Sequence, residues 1–379
     1  MNEFIVPFNQ PYLAGSEMDY LQQALEAPLS VGGASFAFRC AAKLKLVTQA
    51  HSVLLTHSCT NALELAAMLA NIQPGDEVII PSFTFTSTAN AFVLRGARIV
   101  FVDIRPDTLN MNEDAIEAAI TPKTRVIIPV HYAGIACNMD RIMAIAAEHK
   151  LLVVEDAAQS VGATYNGRPL GTLGHLGTYS FHATKNLSCG EGGALLVNDK
   201  TLLERAEILH DKGTNRAQFR AGNVRQYEWV DVGMSAPPSE LQAACLLAQL
   251  ERLGLITQQR VALWQHYDYL LGPLSTSGKL RVLLPPSECN HNGHIFAVIF
   301  NTSEQRDKAQ QALAKEGIQA ALHYQPLHLS PEGRRVGTAR GSMVESESLP
   351  SRLLRLPIWP GMPASTCERV VEILRATLD

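Results

Sequence analysis

Hydrophobic and polar positions fall into short alternating blocks through the first half of the chain. Apolar, β-branched runs at 78–80, 99–102, 126–130 and 151–154 mostly lack internal polar positions, as strands covered on both faces do. Between them, 61–70, 86–94, 113–120 and 139–149 repeat apolar residues at helical spacing. Strands alternating with helices predict an α/β fold with a mostly parallel central sheet wrapped by helices.

The texture changes after residue 200. A helix is expected at 201–210, followed by a polar, glycine-containing stretch at 212–229 that reads as a long surface loop, a length at which loops often carry function. Pro237 and Pro238 precede an apolar-periodic run at 240–253, which suits a helix entered through proline. That helix is expected to continue toward Leu270 and reach a smaller α+β unit with a strand at 295–300 and helices at 304–316 and 366–378. The expected organisation is an N-terminal arm (1–30), a large domain (31–250) and a small C-terminal domain (251–379).

Composition narrows the function. Acidic residues number 36 and basic residues 32, a net charge of −4, so no nucleic-acid partner is expected. The seven cysteines are widely spaced with no CxxC pair, which indicates neither a metal site nor a disulfide framework. Free thiols suit a reducing cytosol. The start MNEFIVPFNQPYL lacks a basic segment before an apolar run, and no stretch suits a bilayer. A cytoplasmic protein without a membrane partner is expected.

Four segments carry candidate chemistry. The apolar strand at 151–154 runs into Glu155 and Asp156, with Gln159 three residues on. Ligands gather at the carboxyl ends of strands in open α/β sheets, and a carboxylate there can pair with a protonated ring nitrogen. Asp156 could instead cap a following helix. Lys185 lies in Ser180-Phe-His-Ala-Thr-Lys-Asn186, ahead of Gly190-Glu-Gly-Gly193. A lysine in such a connection can form a Schiff base once burial and nearby cations lower its pKa; alternatively it is an exposed loop lysine. Ser58, Cys59 and Thr60 open a helix, either as a cap or as a phosphate cradle. Phe83 and Phe85 follow a strand, and either could stack on a flat ring or fill the core.

Ser58-Cys-Thr-Asn-Ala-Leu63, Pro81-Ser-Phe-Thr-Phe85, Glu155-Asp-Ala-Ala-Gln159, Ser180-Phe-His-Ala-Thr-Lys-Asn186 and Gly190-Glu-Gly-Gly193, in this order, resemble the sugar aminotransferases of the DegT/DnrJ/EryC family. The resemblance spans Val6-Pro-Phe-Asn9 to Leu354-Arg-Leu-Pro357, nearly the whole chain. It implies a PLP-dependent transferase type I (aspartate aminotransferase-like) fold, pyridoxal 5'-phosphate as cofactor and a homodimer with shared active sites. It further implies transfer of an amino group from L-glutamate to C4 of a nucleotide-linked 4-keto-6-deoxy sugar. By position it makes Lys185 the imine lysine and proton shuttle, Asp156 the ring-nitrogen partner and Gln159 the ring-hydroxyl contact. Phe85 becomes the stacking ring, and Cys59, Thr60 and Ser180 the phosphate contacts. His182, His323, Tyr324 and His328 become substrate contacts.

Ser235 stands where many members of the family carry an asparagine that reaches the neighbouring subunit's phosphate, and Pro237 and Pro238 replace Arg-Met. Asn215 or Asn223 is a candidate substitute. Other readings are another nucleotide-sugar aminotransferase, a pyridoxamine-dependent sugar dehydratase, a non-enzymatic cofactor-binding sensor and a nucleotide-binding protein. Lys185 argues against the dehydratase, in which histidine replaces it. No GxxxxGK[ST] segment supports the nucleotide-binding reading.

Overall fold

The apolar runs of the first half assemble into one sheet. The computed structural model describes residues 4–26 and 35–378. Its eight-stranded sheet has the order Ser52–Thr56, Gly193–Val197, Leu176–Ser180, Leu152–Asp156, Thr124–Ile127, Glu77–Pro81, Arg98–Val102, Gly337–Ala339. Neighbours are parallel except where Gly193–Val197 pairs with the strands on either side of it. Val78, Ile80, Ile99, Phe101 and Val154 pack into one helical layer with Leu65, Phe92 and Leu209. Ile79, Val100, Ile127 and Val153 pack into the opposite layer with Ile142 and Ile145. Burial on both faces is why these strands lack polar alternation.

A second core forms around a three-stranded antiparallel sheet of Leu280–Val282, Phe296–Phe300 and Leu353–Leu356. The helices Leu253–Thr276, Ser303–Lys315 and Ala364–Leu378 cover it. The run expected as one helix from 240 is two, Glu240–Glu251 and Leu253–Thr276, broken at Arg252 (φ −107°, ψ 9°). Ser239 and Gln242 close a capping box at the first of these. The second leaves the large core at Ile256 and enters the small one at Leu263.

Three further features differ from expectation. The chain returns from the small unit to add Gly337–Ala339 beside Arg98–Val102. The segment 113–120 is a 3-10 turn, Glu113–Ala115, followed by the short helix Ile116–Ala119. The loop at 212–229 contains the helix Arg216–Arg220 and is closed by a bridge between Thr214 and Trp229. The expected boundary between residues 30 and 31 lies outside the described residues. No described helix is long and apolar enough to cross a membrane.

Candidate active site

Lys185 sits in the connection between the antiparallel strands Leu176–Ser180 and Gly193–Val197. The connection is tied across itself: the amides of Phe181 and Ala183 donate to Gly192 and Gly190 carbonyls, both at 2.8 Å. The Lys185 amide donates to His182 O at 2.9 Å. Asn186 anchors the next position, donating to Asn292 O at 3.0 Å and pairing with His294 Nδ1 at 2.8 Å. Burial lowers the pKa of Lys185; Cys59 and Asp156 oppose the shift and the positive charge of Arg355 adds to it. An amine easier to deprotonate is a better nucleophile toward an aldehyde.

Glu155 and Asp156 end the strand Leu152–Asp156 and do different work. Glu155 is fully buried and accepts from the amides of Gly171, Leu173 and Gly174 at 2.6–2.8 Å and from His131 Nε2 at 2.8 Å. His131 Nδ1 accepts the Cys137 amide at 3.1 Å, which puts the ring proton on Nε2. Asp156 lines the cavity. Its Oδ2 accepts from Thr88 Oγ1 at 2.7 Å, Thr88 is bonded to Thr84 Oγ1 at 2.9 Å, and Oδ1 accepts the Ala158 amide at 3.2 Å. No helix follows Asp156, so the helix-cap alternative does not hold.

The helix Cys59–Leu69 starts at the same cavity. Ser58 caps it by accepting the Asn61 amide at 3.1 Å. The amides of Cys59 and Thr60, at the positive end of the helix dipole, have no helical acceptor. Cap and anion cradle therefore coexist. A Cβ built on Gly193 would lie 2.4 Å from Cys59 N and 2.5 Å from Ser58 O, so this close approach of strand to helix start requires glycine. Burial first, then the charge of Asp156, pushes the Cys59 thiol up to about 12, which keeps it neutral.

The two phenylalanines separate. Phe83 is buried against Tyr132 and Tyr324, with centroids 5.1 and 5.4 Å away, whereas Phe85 is 56% exposed and lines the cavity. Gln159 Oε1 accepts the Ala133 amide at 2.7 Å, and its Nε2 donates to Tyr324 OH at 3.2 Å. Ser180, His182, His323 and Tyr324 also line the cavity. His182 Nδ1 accepts the Thr184 amide at 3.2 Å, and its Nε2 lies 3.5 Å from Glu191. His323 stacks on Tyr324 with centroids 3.8 Å apart and pairs with Tyr132 OH at 2.8 Å.

His328 does not line this cavity. Its Nδ1 is held by Ser82 Oγ at 2.6 Å and its Nε2 by Glu347 at 3.1 Å, because the 3-10 turn Leu327–Leu329 turns it away. Asn215 closes its own loop by accepting the Glu228 amide at 2.7 Å, so its side-chain oxygen is already engaged. The carbonyl of Ser235 lies 3.1 Å from His57 Nε2, beside the start of the cradle helix.

The cavity measures about 600 Å³ and has a wall the sequence did not reveal: Phe8 and Asn9 from the arm, and Arg260, His294 and Arg355 from the C-terminal part. Arg260 is buried, donates to Gly293 O and His294 O, and is lowered to about 9 by desolvation. Desolvation likewise keeps His294 and His323 neutral. Thr88 had no signal of its own: it lies in the helix Thr86–Val93, and its partner Thr84 precedes that helix.

The model of the DegT/DnrJ/EryC1/StrS aminotransferase family matches residues 12–375. A pleiotropic regulatory protein of Geobacillus stearothermophilus is 37% identical over 315 residues, covering 83% of this chain and 81% of that protein. Among solved structures, DesV of S. venezuelae, in complex with a ketimine intermediate, is 30% identical with a TM-score of 0.88, covering 100% of this chain and 99% of that one. The PLP-form of the putative sugar aminotransferase Spr1654 from Streptococcus pneumoniae is 26% identical with a TM-score of 0.88, covering 98% of each. The α/β fold with its mostly parallel sheet is the type I fold of these enzymes.

Proposed function

The chain belongs to the DegT/DnrJ/EryC1/StrS aminotransferase family, whose cofactor is pyridoxal 5'-phosphate, and from that premise we propose that it aminates a nucleotide-linked keto sugar. The observation that carries the reading is the convergence of Lys185, Asp156, Gln159, Phe85 and the Cys59–Leu69 helix start on one cavity at the carboxyl edge of the sheet. The donor set fits the cofactor. The free amides of Cys59 and Thr60, with the Ser180 hydroxyl, suit its phosphate. The exposed face of Phe85 suits its ring, the Asp156 carboxylate its ring nitrogen and the Gln159 amide its ring hydroxyl.

When bound, the cofactor supplies an electron sink that acidifies the carbon bearing the transferred amine. Lys185, with its pKa lowered by burial, is the residue that would hold the cofactor and, as a free amine, would carry the proton to and from the amine-bearing carbon. Thr88 and Ala158 fix the Asp156 carboxylate, so that it holds a proton at the ring nitrogen. His182, His323 and Tyr324 orient the sugar. The expected donor is L-glutamate.

For the acceptor we propose dTDP-4-keto-6-deoxyglucose, giving dTDP-4-amino-4,6-dideoxygalactose for enterobacterial common antigen in the cytoplasm. The support is resemblance to the enterobacterial transaminase of that step in Thr84–Asp103, Pro129-Val-His-Tyr-Ala-Gly134, Asp211-Lys-Gly-Thr-Asn-Arg216 and His323-Tyr-Gln-Pro-Leu-His328. We further propose a homodimer with shared sites. The exposed Phe219, Tyr227 and Trp229 support it, since clustered exposed aromatics mark interaction surfaces.

The test follows visible absorbance of the cofactor-loaded protein. L-glutamate should bleach the yellow lysine-bound form, and dTDP-4-keto-6-deoxyglucose should restore it with an aminated nucleotide sugar in the mass spectrum. Bleaching without restoration rejects this sugar. Lys185→Ala should lose the lysine-bound absorbance and all steady turnover. Asp156→Asn should keep cofactor and lower kcat on the order of 10²-fold; near wild-type rates would assign the ring nitrogen another partner.

A further inference from the structure

As a free amine, Lys185 has two N–H groups and one lone pair in a cavity of about 600 Å³. Carrying a proton requires the lone pair to point at one carbon, and a flexible four-carbon stem does not aim itself. A fixed acceptor that takes one N–H sets the direction of the lone pair. The groups felt at Lys185 are Cys59, Asp156 and Arg355. Asp156 is held by Thr88 and the Ala158 amide and is assigned above to the ring nitrogen. The neutral Cys59 thiol is a weak acceptor, and a guanidinium has no acceptor atom.

His294 has the acceptor. Its ring is buried and lines the cavity with Lys185. Asn186, next to Lys185 in the chain, spends Nδ2 on Asn292 O at 3.0 Å, so its oxygen faces His294 Nδ1 at 2.8 Å. Nδ1 therefore carries the ring proton, and Nε2 is a bare lone pair. Among the described residues nothing bonds Nε2. The main chain under the ring is fixed as well: the His294 amide donates to Asn292 Oδ1 at 3.1 Å, and its carbonyl accepts Arg260 Nη2 at 2.8 Å. Burial first, then Lys185, Arg260, His323 and Arg355, hold the ring well below its ordinary range, so the lone pair stays free. We propose that His294 Nε2 accepts an N–H of the free Lys185 amine and aims that amine at the carbon it serves. His294 is then a positioning residue, and Asn186, which fixes its tautomer, is a second. The inference rests on the aminotransferase reading above.

The experiment follows the visible absorbance of cofactor-loaded wild type, His294→Phe, His294→Gln and Asn186→Leu after rapid mixing with L-glutamate, across the pH range in which a lysine titrates. The bleached protein is then mixed with 2-oxoglutarate or with dTDP-4-keto-6-deoxyglucose. His294→Phe should slow bleaching and recovery alike, about 10-fold at saturation, with half-saturating concentrations unchanged. An ammonium also donates to Nε2, so losing the acceptor lowers the Lys185 pKa further. The acid limb of both rates should therefore move to lower pH by up to about one unit. His294→Gln, whose side-chain oxygen accepts, should recover most of the loss. Asn186→Leu lets the proton move to Nε2 and should show the same changes in smaller measure; it carries the test if His294→Phe does not fold. Unchanged starting absorbance establishes that a variant folds and binds cofactor. Wild-type rates with an unmoved acid limb overturn the proposal. So does a loss confined to one substrate, which would set His294 against that substrate rather than against Lys185. Wild type that no amino acid bleaches overturns the aminotransferase reading itself.

Discussion

At the scale of single residues, Gln159 is aimed from both ends. Ala133 holds its oxygen and Tyr324 takes one of its amide hydrogens, so a side chain from the C-terminal part orients the group expected at the ring hydroxyl. Tyr324→Phe should lower kcat about 3- to 10-fold, the worth of one neutral hydrogen bond, and shift the pH at which the bound cofactor's visible spectrum changes. A pH titration of absorbance checks this, and an unshifted spectrum would leave Tyr324 as a wall only. Lys185, Asp156, Gln159 and Phe85 were legible because each lies in a local run of residues whose order along the chain carries meaning. Arg260, His294 and Arg355 had no such run: they belong to a helix, a loop and a strand far apart in sequence that only the fold brings together. His328 misled because it is close in sequence to His323 and Tyr324, while Pro326 and the turn after it reverse its direction.

At the scale of elements, the crossing of Gly193 over the start of Cys59–Leu69 is a tight requirement at the cavity. Gly193→Ala should destabilise the fold by about 1–3 kcal/mol through overpacking against main chain and weaken cofactor binding. Melting curves with and without cofactor measure both effects, and wild-type values in both would show that the strand and helix can separate. Glu155 sets a second requirement. Glu155→Gln replaces an acceptor of several amides with a group that is half donor, and should cost about 3–5 kcal/mol, read by denaturant unfolding. The strands at 78–80, 99–102 and 151–154 and the helix at 139–149 were readable because both faces, or one stripe, of each is apolar. Ser52–Thr56 and Leu176–Ser180 were not, since Thr56, Thr178 and Ser180 are polar yet buried. The break falls at the single residue Arg252, with no proline or glycine at the junction to announce it.

At the scale of the molecule, several histidines are buried uncharged. Burial lowers His291 to about 4, His323 to about 2 and His294 well below its ordinary range. The unfolded chain takes up protons near pH 6.5, while the folded chain resists them. The unfolded state thus binds more protons below that pH, and stability falls as pH drops through 6.5 by up to about 1.4 kcal/mol per unit for each such ring. The melting temperature should therefore be lower at pH 5.5 than at 7.5, and His294→Gln should flatten the slope. A melting temperature that does not change with pH would mean the rings already carry charge in the fold.

The strand Gly337–Ala339 has a consequence for how the chain can be divided. It covers the outer edge of Arg98–Val102, whose Ile99, Val100, Phe101 and Val102 are all buried. Ending the polypeptide at Glu251 would bare that edge, a row of unpaired amides and carbonyls flanked by oily side chains, which is a template for another chain to add to. The N-terminal fragment alone should accumulate as insoluble aggregate, and only co-production with the remainder should keep it in solution.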